Sequence, residues 1–324
     1  MKRLFAAIAA LTAAVGGALM LNRKTALRED IPWEDAPRPG SIAEIDGYKV
    51  HYIDRGDGPA MVLIHGFGGQ TYNYRKLIPR FAAGHRVIAV DLKGYGYSER
   101  DASTDLSATG QVRMLRALLA QLGVQRAVFV GHSMGGAIVQ RFASTHPEMC
   151  EALVLIASVA GDEARRRRMV MLPRPILRPL LPVFGKMVSS QLLKYSFYDQ
   201  SFATEADREE YLRPARLKGS MDGLLAIIEE GRRDEPIAYE RIDVPVLLIY
   251  GAQDRVVPLA KAREVRAHLP QARLVVIERA AHLLLEERAE ECARAIEDFL
   301  REQARSEAGH RRAPEVGLPP HRVR

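Results

Sequence analysis

Eight short runs of aliphatic and β-branched residues punctuate the chain at 42–45, 48–53, 61–64, 87–90, 127–130, 152–156, 246–250 and 274–277. From the third run onward nearly every position is apolar. A strand wetted on one face alternates apolar and polar side chains, whereas a strand that is apolar throughout is covered on both faces. Helical patterns fall near 71–83, 107–122, 134–146, 258–268 and 286–302. Strands separated by helices return in parallel and pack their helices on either side of the sheet. This pattern predicts an α/β fold with a mostly parallel, eight-stranded sheet and helices on both faces. Asp46-Gly47, between the first two runs, is a two-residue hairpin signal.

The rhythm breaks at 161–240, which has several prolines, no evident strand, and apolar stretches at helical spacing such as Met187 to Tyr195 and Leu224 to Ile228. The expected organisation is a core of 41–160 and 241–302 with a helical cap, 161–240, inserted between two strands. Residues 22–40, with Pro32, Pro37 and Pro39, read as a tether. Residues 303–324, rich in Arg, Pro and Gly, read as a disordered basic tail. Residues 1–21 hold an uncharged, mostly apolar run from Leu4 to Leu21, preceded by Lys2-Arg3 and followed by Arg23-Lys24. As a helix it would measure about 27 Å, enough for a bilayer core. A small-x-small cleavage site is missing at its end. The expectation is therefore membrane association through this N-terminal helix, with secretion after signal cleavage as the alternative.

Charge is uneven. The formal net charge is +7, and residues 165–194 carry Arg165 to Arg168, Arg174, Arg178, Lys186 and Lys194 without one acid. An anionic membrane surface is the partner this suggests. No nucleic-acid-binding module accompanies the charge, which argues against that partner. Cys150 and Cys292 match no metal or disulfide framework and read as isolated buried thiols.

The chemistry concentrates at the carboxyl ends of the predicted strands. Gly131-His132-Ser133-Met134-Gly135 follows one strand directly and opens a helix. A serine hydroxyl needs exposure to a base to become nucleophilic, and a sharp strand-to-helix turn flanked by Gly131 and Gly135 provides it. His65-Gly66-Phe67-Gly68-Gly69 follows the strand at 61–64. Its glycines, Gly66 and Gly68 among them, let backbone N–H groups converge, so the amides of Phe67 and Met134 are the expected oxyanion hole. His65 is expected to pin that loop rather than move protons. Asp254 lies just past the run at 246–250, and His282 a few residues past the run at 274–277. The chain order Ser133, Asp254, His282 suits a nucleophile, an orienting acid and a base on this architecture. Asp162 is the main rival acid, and Asp91 follows a strand as well. His132 is expected to point away from the site. No metal or organic cofactor is expected.

Together HGFGG at 65–69, DLKGYGYSER at 91–100, GHSMGG at 131–136, GAQDRVVP at 251–258 and RAAHLLLEE at 279–287 resemble the α/β-hydrolase superfamily, over roughly residues 41–302. The closest likeness is to its cap-bearing branch of esterases, lipases, carbon–carbon bond hydrolases and cofactor-free haloperoxidases. The resemblance implies Ser133 as nucleophile, His282 as general base, Asp254 as its partner and the Phe67 and Met134 amides as oxyanion hole. Serine at 133 argues against epoxide hydrolases and haloalkane dehalogenases, which place aspartate there. Carbon–carbon hydrolases of the branch carry a tryptophan after the histidine and a cap arginine. Here Leu283 follows, and Arg232 and Arg233 are candidates for that arginine, with solvated surface as their alternative reading. The expected function is a serine hydrolase of small-molecule or lipid esters with an apolar acyl or alcohol part. Carbon–carbon cleavage or perhydrolysis on the same triad is one alternative, and a non-catalytic small-molecule receptor is another.

Overall fold

The computed structural model describes residues 28–160, 178, 191, 193–202, 204–230 and 236–312. Its centre is one eight-stranded sheet: β1 (Ser41–Ile45), β2 (Tyr48–Arg55), β3 (Ala60–Ile64), β4 (Arg86–Val90), β5 (Ala127–His132), β6 (Cys150–Ile156), β7 (Val246–Gly251) and β8 (Arg273–Ile277). Their spatial order is β1-β2-β4-β3-β5-β6-β7-β8. β1 and β2 form an antiparallel hairpin, β2 meets β4 antiparallel, and all other pairings are parallel. The hairpin turn uses Asp46 and Gly47 at φ 52° and 77°, the left-handed pair that matches strand twist.

Alternate residues of each strand face opposite layers, so the sheet has two cores. On one face Val62, Ile64, Val90, Phe129, Leu155 and Leu248 pack beneath α2 (Ala108–Gln121), α3 (Met134–Thr145) and α6 (Ala260–His268). On the other, Leu63, Ala89, Val130, Val154 and Ile249 pack beneath α1 (Ile78–Phe81), α7 (Leu284–Glu287) and α8 (Ala289–Arg312). Cys150 lies in the first layer and Cys292 in the second, both free and buried. Burial pushes the Cys150 thiol up to about 12, so neither layer presents a reactive thiolate.

Within the inserted region lie α4 (Glu205–Leu212) and α5 (Ser220–Glu230). A capping box between Thr204 and Asp207 opens α4, and the apolar stretch Leu224 to Ile228 falls inside α5. The helix expected over 71–83 is two short pieces, a 3-10 turn at Thr71–Tyr74 and α1. The helix expected over 286–302 divides into α7 and α8 at Arg288, which leaves helical geometry at φ −131°.

Two expectations need correction. Residues 28–40 are not a free tether. Ile31 pairs with Leu217 in a parallel bridge, Asp30 pairs with Arg216 at 2.9 Å, and the Glu29 carboxylate accepts from the Met221 amide at 2.8 Å. Trp33 donates its indole N–H to the Tyr97 carbonyl at 2.9 Å. Ile31, Trp33 and Ala36 thereby cover Tyr97 and Leu217. Prolines that stiffen a linker serve equally to hold an extended strap against a surface. The tail also starts later than its composition suggests, because α8 runs on to Arg312. Glu, Gln, Ala and Arg are strong helix formers, and extending an existing helix needs no new nucleus.

Among the described residues no helix is long and apolar enough to cross a membrane. The N-terminal run 4–21, Asp162, Arg165 to Arg168, Arg174, Lys186, Arg232, Arg233 and residues 313–324 lie outside the described residues.

Candidate active site

The parallel strands end together, and four of the turns that leave them meet around one serine. Ser133 sits between β5 and α3 with φ 53° and ψ −117°, a backbone that a residue with a Cβ adopts only at a cost. Close packing around the turn enforces it. A Cβ on Gly131 would lie 2.6 Å from both the Gly135 carbonyl oxygen and the Gly136 Cα, and one on Gly135 would meet the carbonyl oxygens of Ile64 and His65. The helix therefore presses against the strand ends and thrusts the Ser133 hydroxyl outward.

His282 comes from the β8–α7 turn. Its Nε2 lies 3.1 Å from Ser133 Oγ, and its Nδ1 lies 2.9 Å from Asp254 Oδ2. Asp254, in the turn after β7, is itself fixed, since its Oδ1 accepts the amides of Val256 and Val257 at 2.8 Å each. Both His282 and Asp254 are buried. The three side chains thus form a continuous hydrogen-bonded line. Such a line can draw a proton from the serine as it attacks an electrophilic carbon, with the charge left on the imidazole compensated by the carboxylate.

The loop after β3 closes the other side. A Cβ on Gly66 would stand 3.0 Å from the Ser133 Cβ, so this loop lies directly over the serine, and Gly68 adopts φ 69°. His65 is wholly buried. Leu92 donates its amide to His65 Nε2 at 3.1 Å, so Nδ1 carries the hydrogen and donates to the Gly66 carbonyl at 2.8 Å. Burial lowers the basicity of this ring, as suits a neutral strut between the loops after β3 and β4. Met134 is the first residue of α3, where amides lack an intrahelical acceptor and the helix dipole favours an anion. The Phe67 ring is half exposed and meets Tyr95 edge-on at 6.0 Å.

Asp91, the acid of the 91–100 motif, has other work. It binds His51 Nδ1 at 2.7 Å and accepts the amides of Thr71 and Tyr97 at 2.6 and 2.8 Å. Burial alone would raise its pKa, but His51 beside it holds the carboxyl below its usual range. It staples β2 to two loops, while His282 takes Asp254 as its partner.

Three residues gave no functional signal in the sequence. His132 is not turned away from the site; its Nε2 reaches the His282 carbonyl oxygen at 2.9 Å. Glu287 accepts the amides of Ala281 and, at 2.9 Å, of Tyr198, tying the histidine's loop to the segment 193–202. Glu286 is buried against Arg75 at 2.6 Å and Asn73 at 3.1 Å, and burial lifts its pKa to about 7. Arg75 in turn holds Asp207 of α4 at 2.8 Å, and Asn73 donates to Tyr211 at 2.8 Å. The string Leu-Glu-Glu reads as an ordinary helix start. Apart from the nearby Ala281 amide, the groups that give its two carboxylates meaning lie more than 80 residues away. Beside His282, Leu283 packs with Leu193, Phe197 and Phe202 in an apolar cluster. No group of three or more potential metal ligands occurs among the described residues.

Fold and site together define a hydrolase architecture, and the sequence comparison agrees. The chain belongs to the α/β-hydrolase fold family, whose model matches residues 59–289. An uncharacterized hydrolase of Bacillus subtilis, YugF, is 29% identical over 81% of this chain and 96% of its own length. A 2-hydroxy-6-oxononadienedioate/2-hydroxy-6-oxononatrienedioate hydrolase of Burkholderia vietnamiensis is 33% identical over 78% of this chain and 91% of its own. Among solved structures, a membrane phospholipase A described as a bacterial virulence factor is similar at TM-score 0.69 and 25% identity, covering 94% of this chain and 99% of its own.

Proposed function

We propose that this hydrolase cleaves carboxylic esters whose acyl or alcohol part is apolar, through an acyl-enzyme on Ser133. The observation that carries the reading is the unbroken line from Ser133 Oγ through His282 to Asp254, at 3.1 and 2.9 Å. Ser133 Oγ attacks the ester carbonyl as His282 Nε2 removes its proton. The amides of Phe67 and Met134 receive the negative oxygen, where preorganised donors outperform water. His282 returns the proton to the departing alcohol. It next deprotonates a water, which attacks the acyl carbon and frees the carboxylic acid, and the proton goes back to Ser133.

An apolar substrate is favoured by Leu283, Leu193, Phe197 and Phe202 beside the base and by the exposed Phe67 ring of the loop after β3. Lipid esters fit this preference. The likeness to a membrane phospholipase A over 94% of the chain, the apolar run 4–21 and the cations of 165–194 support a membrane-associated enzyme that draws its substrate from an anionic lipid surface.

A second reading, carbon–carbon cleavage on the same triad, has its own support, because the Burkholderia relative at 33% identity is by name a hydrolase of a 2-hydroxy-6-oxo dienedioate, a compound that holds no ester. A panel of p-nitrophenyl esters from acetate to palmitate, a phospholipid and a 2-hydroxy-6-oxo dienoate discriminates the two. Ester turnover that Ser133→Ala abolishes, together with labelling of Ser133 by a fluorophosphonate, is the expected outcome. Turnover confined to the dienoate would replace the ester reading, and binding without turnover of any of them would point to a receptor.

A further inference from the structure

The motif around the nucleophile leaves its second position open, and here His132 fills it. The reaction above gives this residue no task, yet its ring is only 3% exposed. Its Nε2 lies 2.9 Å from the His282 carbonyl oxygen, and the two imidazole centroids are 4.8 Å apart with planes tilted by 48°. A carbonyl oxygen only accepts, so Nε2 carries the hydrogen. Nδ1 is buried without a hydrogen-bond partner among the described residues and faces the Gly66 backbone, where a Cβ would stand 3.1 Å away. Burial first, and the neighbouring His282 second, push the pKa of this ring well below the ordinary histidine range.

We infer that His132 is a positioning residue for the base, fixing the main chain of His282 relative to the nucleophile by donating from Nε2. This rests on the serine-hydrolase reading above. Besides the bonds between Ala280 and Gln253, three main-chain ties, from Ala281, Leu283 and His282, hold the loop that carries the base. The Ala281 amide donates to Glu287, the Leu283 amide donates to the Ser196 carbonyl at 2.9 Å, and the His282 carbonyl accepts from His132. The first two bind the loop to its own helix and to the segment 193–202. The third joins it to the turn that carries the serine, one residue from Ser133, so base and nucleophile share a single rigid support. Because the His132 ring is neutral, the proton taken from Ser133 creates one imidazolium rather than a pair of adjacent cations, and Asp254 balances it.

The experiment compares His132→Leu and His132→Gln with wild type in the full-length chain, by p-nitrophenyl butyrate kinetics and thermal melting. A displacement of about 1 Å in a catalytic group costs on the order of a hundredfold. His132→Leu is therefore expected to lower kcat by about tenfold to a hundredfold, with KM nearly unchanged. His132→Gln keeps an N–H donor and is expected to recover most of the loss. Wild-type kcat in the leucine variant, or equal damage in both variants, would overturn the inference. A second measurement stands whether or not the leucine variant folds. In wild-type protein with 15N-labelled histidine, His132 is expected to remain the neutral Nε2–H tautomer through the pH range in which an ordinary histidine takes up its proton. An Nδ1–H tautomer would overturn the donor role, and titration in that range would overturn the neutral ring. Wild type lacking Ser133-dependent turnover sinks the proposed function and this inference together, whereas an active wild type with an unimpaired leucine variant sinks this inference alone.

Discussion

Replacing Ser133 by Ala and by Gly separates the chemistry of the serine from the strain of its backbone. Both variants lose the hydroxyl and its 3.1 Å contact with His282, and both should be inactive. Only the glycine can relax at φ 53° and ψ −117°, because it lacks the Cβ that makes this region costly. A non-glycine residue held in such a region is destabilised by about 1–3 kcal/mol. Against this, glycine forfeits roughly 0.5–1 kcal/mol through the greater freedom of the unfolded chain. Ser133 is only half-buried, so the lost Cβ removes little packing. Ser133→Gly should therefore be more stable than Ser133→Ala by about 0.5–2 kcal/mol. At roughly 2 °C per kcal/mol for a chain of this size, the melting midpoint rises by about 1–4 °C. Urea titration and thermal melting of the two proteins side by side measure the difference. Equal midpoints, or a less stable glycine variant, would show that the turn stores no strain at this residue.

Three further outcomes follow from the same geometry. Asp254→Asn keeps the shape of the acid but removes its charge and disturbs the tautomer of His282, so kcat should fall by on the order of 10⁴-fold. Fluorophosphonate labelling of Ser133 should slow in parallel, and steady-state and labelling rates together check this. Gly131→Ala must open contacts of 2.6 Å, so it should destabilise the fold by about 1–3 kcal/mol and depress kcat, as urea unfolding and ester turnover would record. Glu286 titrates near 7 when folded and lower when unfolded, so the native state holds its proton more tightly. Stability from this group is greatest in acid and declines as pH rises from the unfolded value through 7. The decline reaches at most about 3 kcal/mol. Glu286→Gln should flatten the melting midpoint between about pH 5 and 8, and an unchanged slope would assign it to other groups.

The eight apolar runs, read by period alone, coincide with the eight strands to within two residues at either end. Such a strand must be sandwiched between layers wherever it lies, so its sequence carries the fold with little help from context. The serine turn was equally legible, because it lies within one strand–turn–helix unit and Gly131 is demanded by contacts inside that unit, although Gly135 answers to Ile64 and His65 of the neighbouring strand end. Composition misled at residues 28–40 and 303–312. Proline-rich and charged segments look alike whether they hang free or dock, and the docking partners of Ile31 and Trp33 are Leu217 and Tyr97, far along the chain.

What the sequence determined by itself was therefore the layered sheet, its strands and the kinds of side chain waiting at their ends. Tertiary structure alone decided which of those side chains meet. It set Asp254 on His282 and spent Asp91 on His51, turned His132 toward the main chain of the base, and buried Glu286 and Glu287 between that loop and the inserted region. Hydrophobic periodicity is a property of neighbouring residues, while a hydrogen bond across 149 positions depends on how the whole chain closes, and no local pattern encodes it.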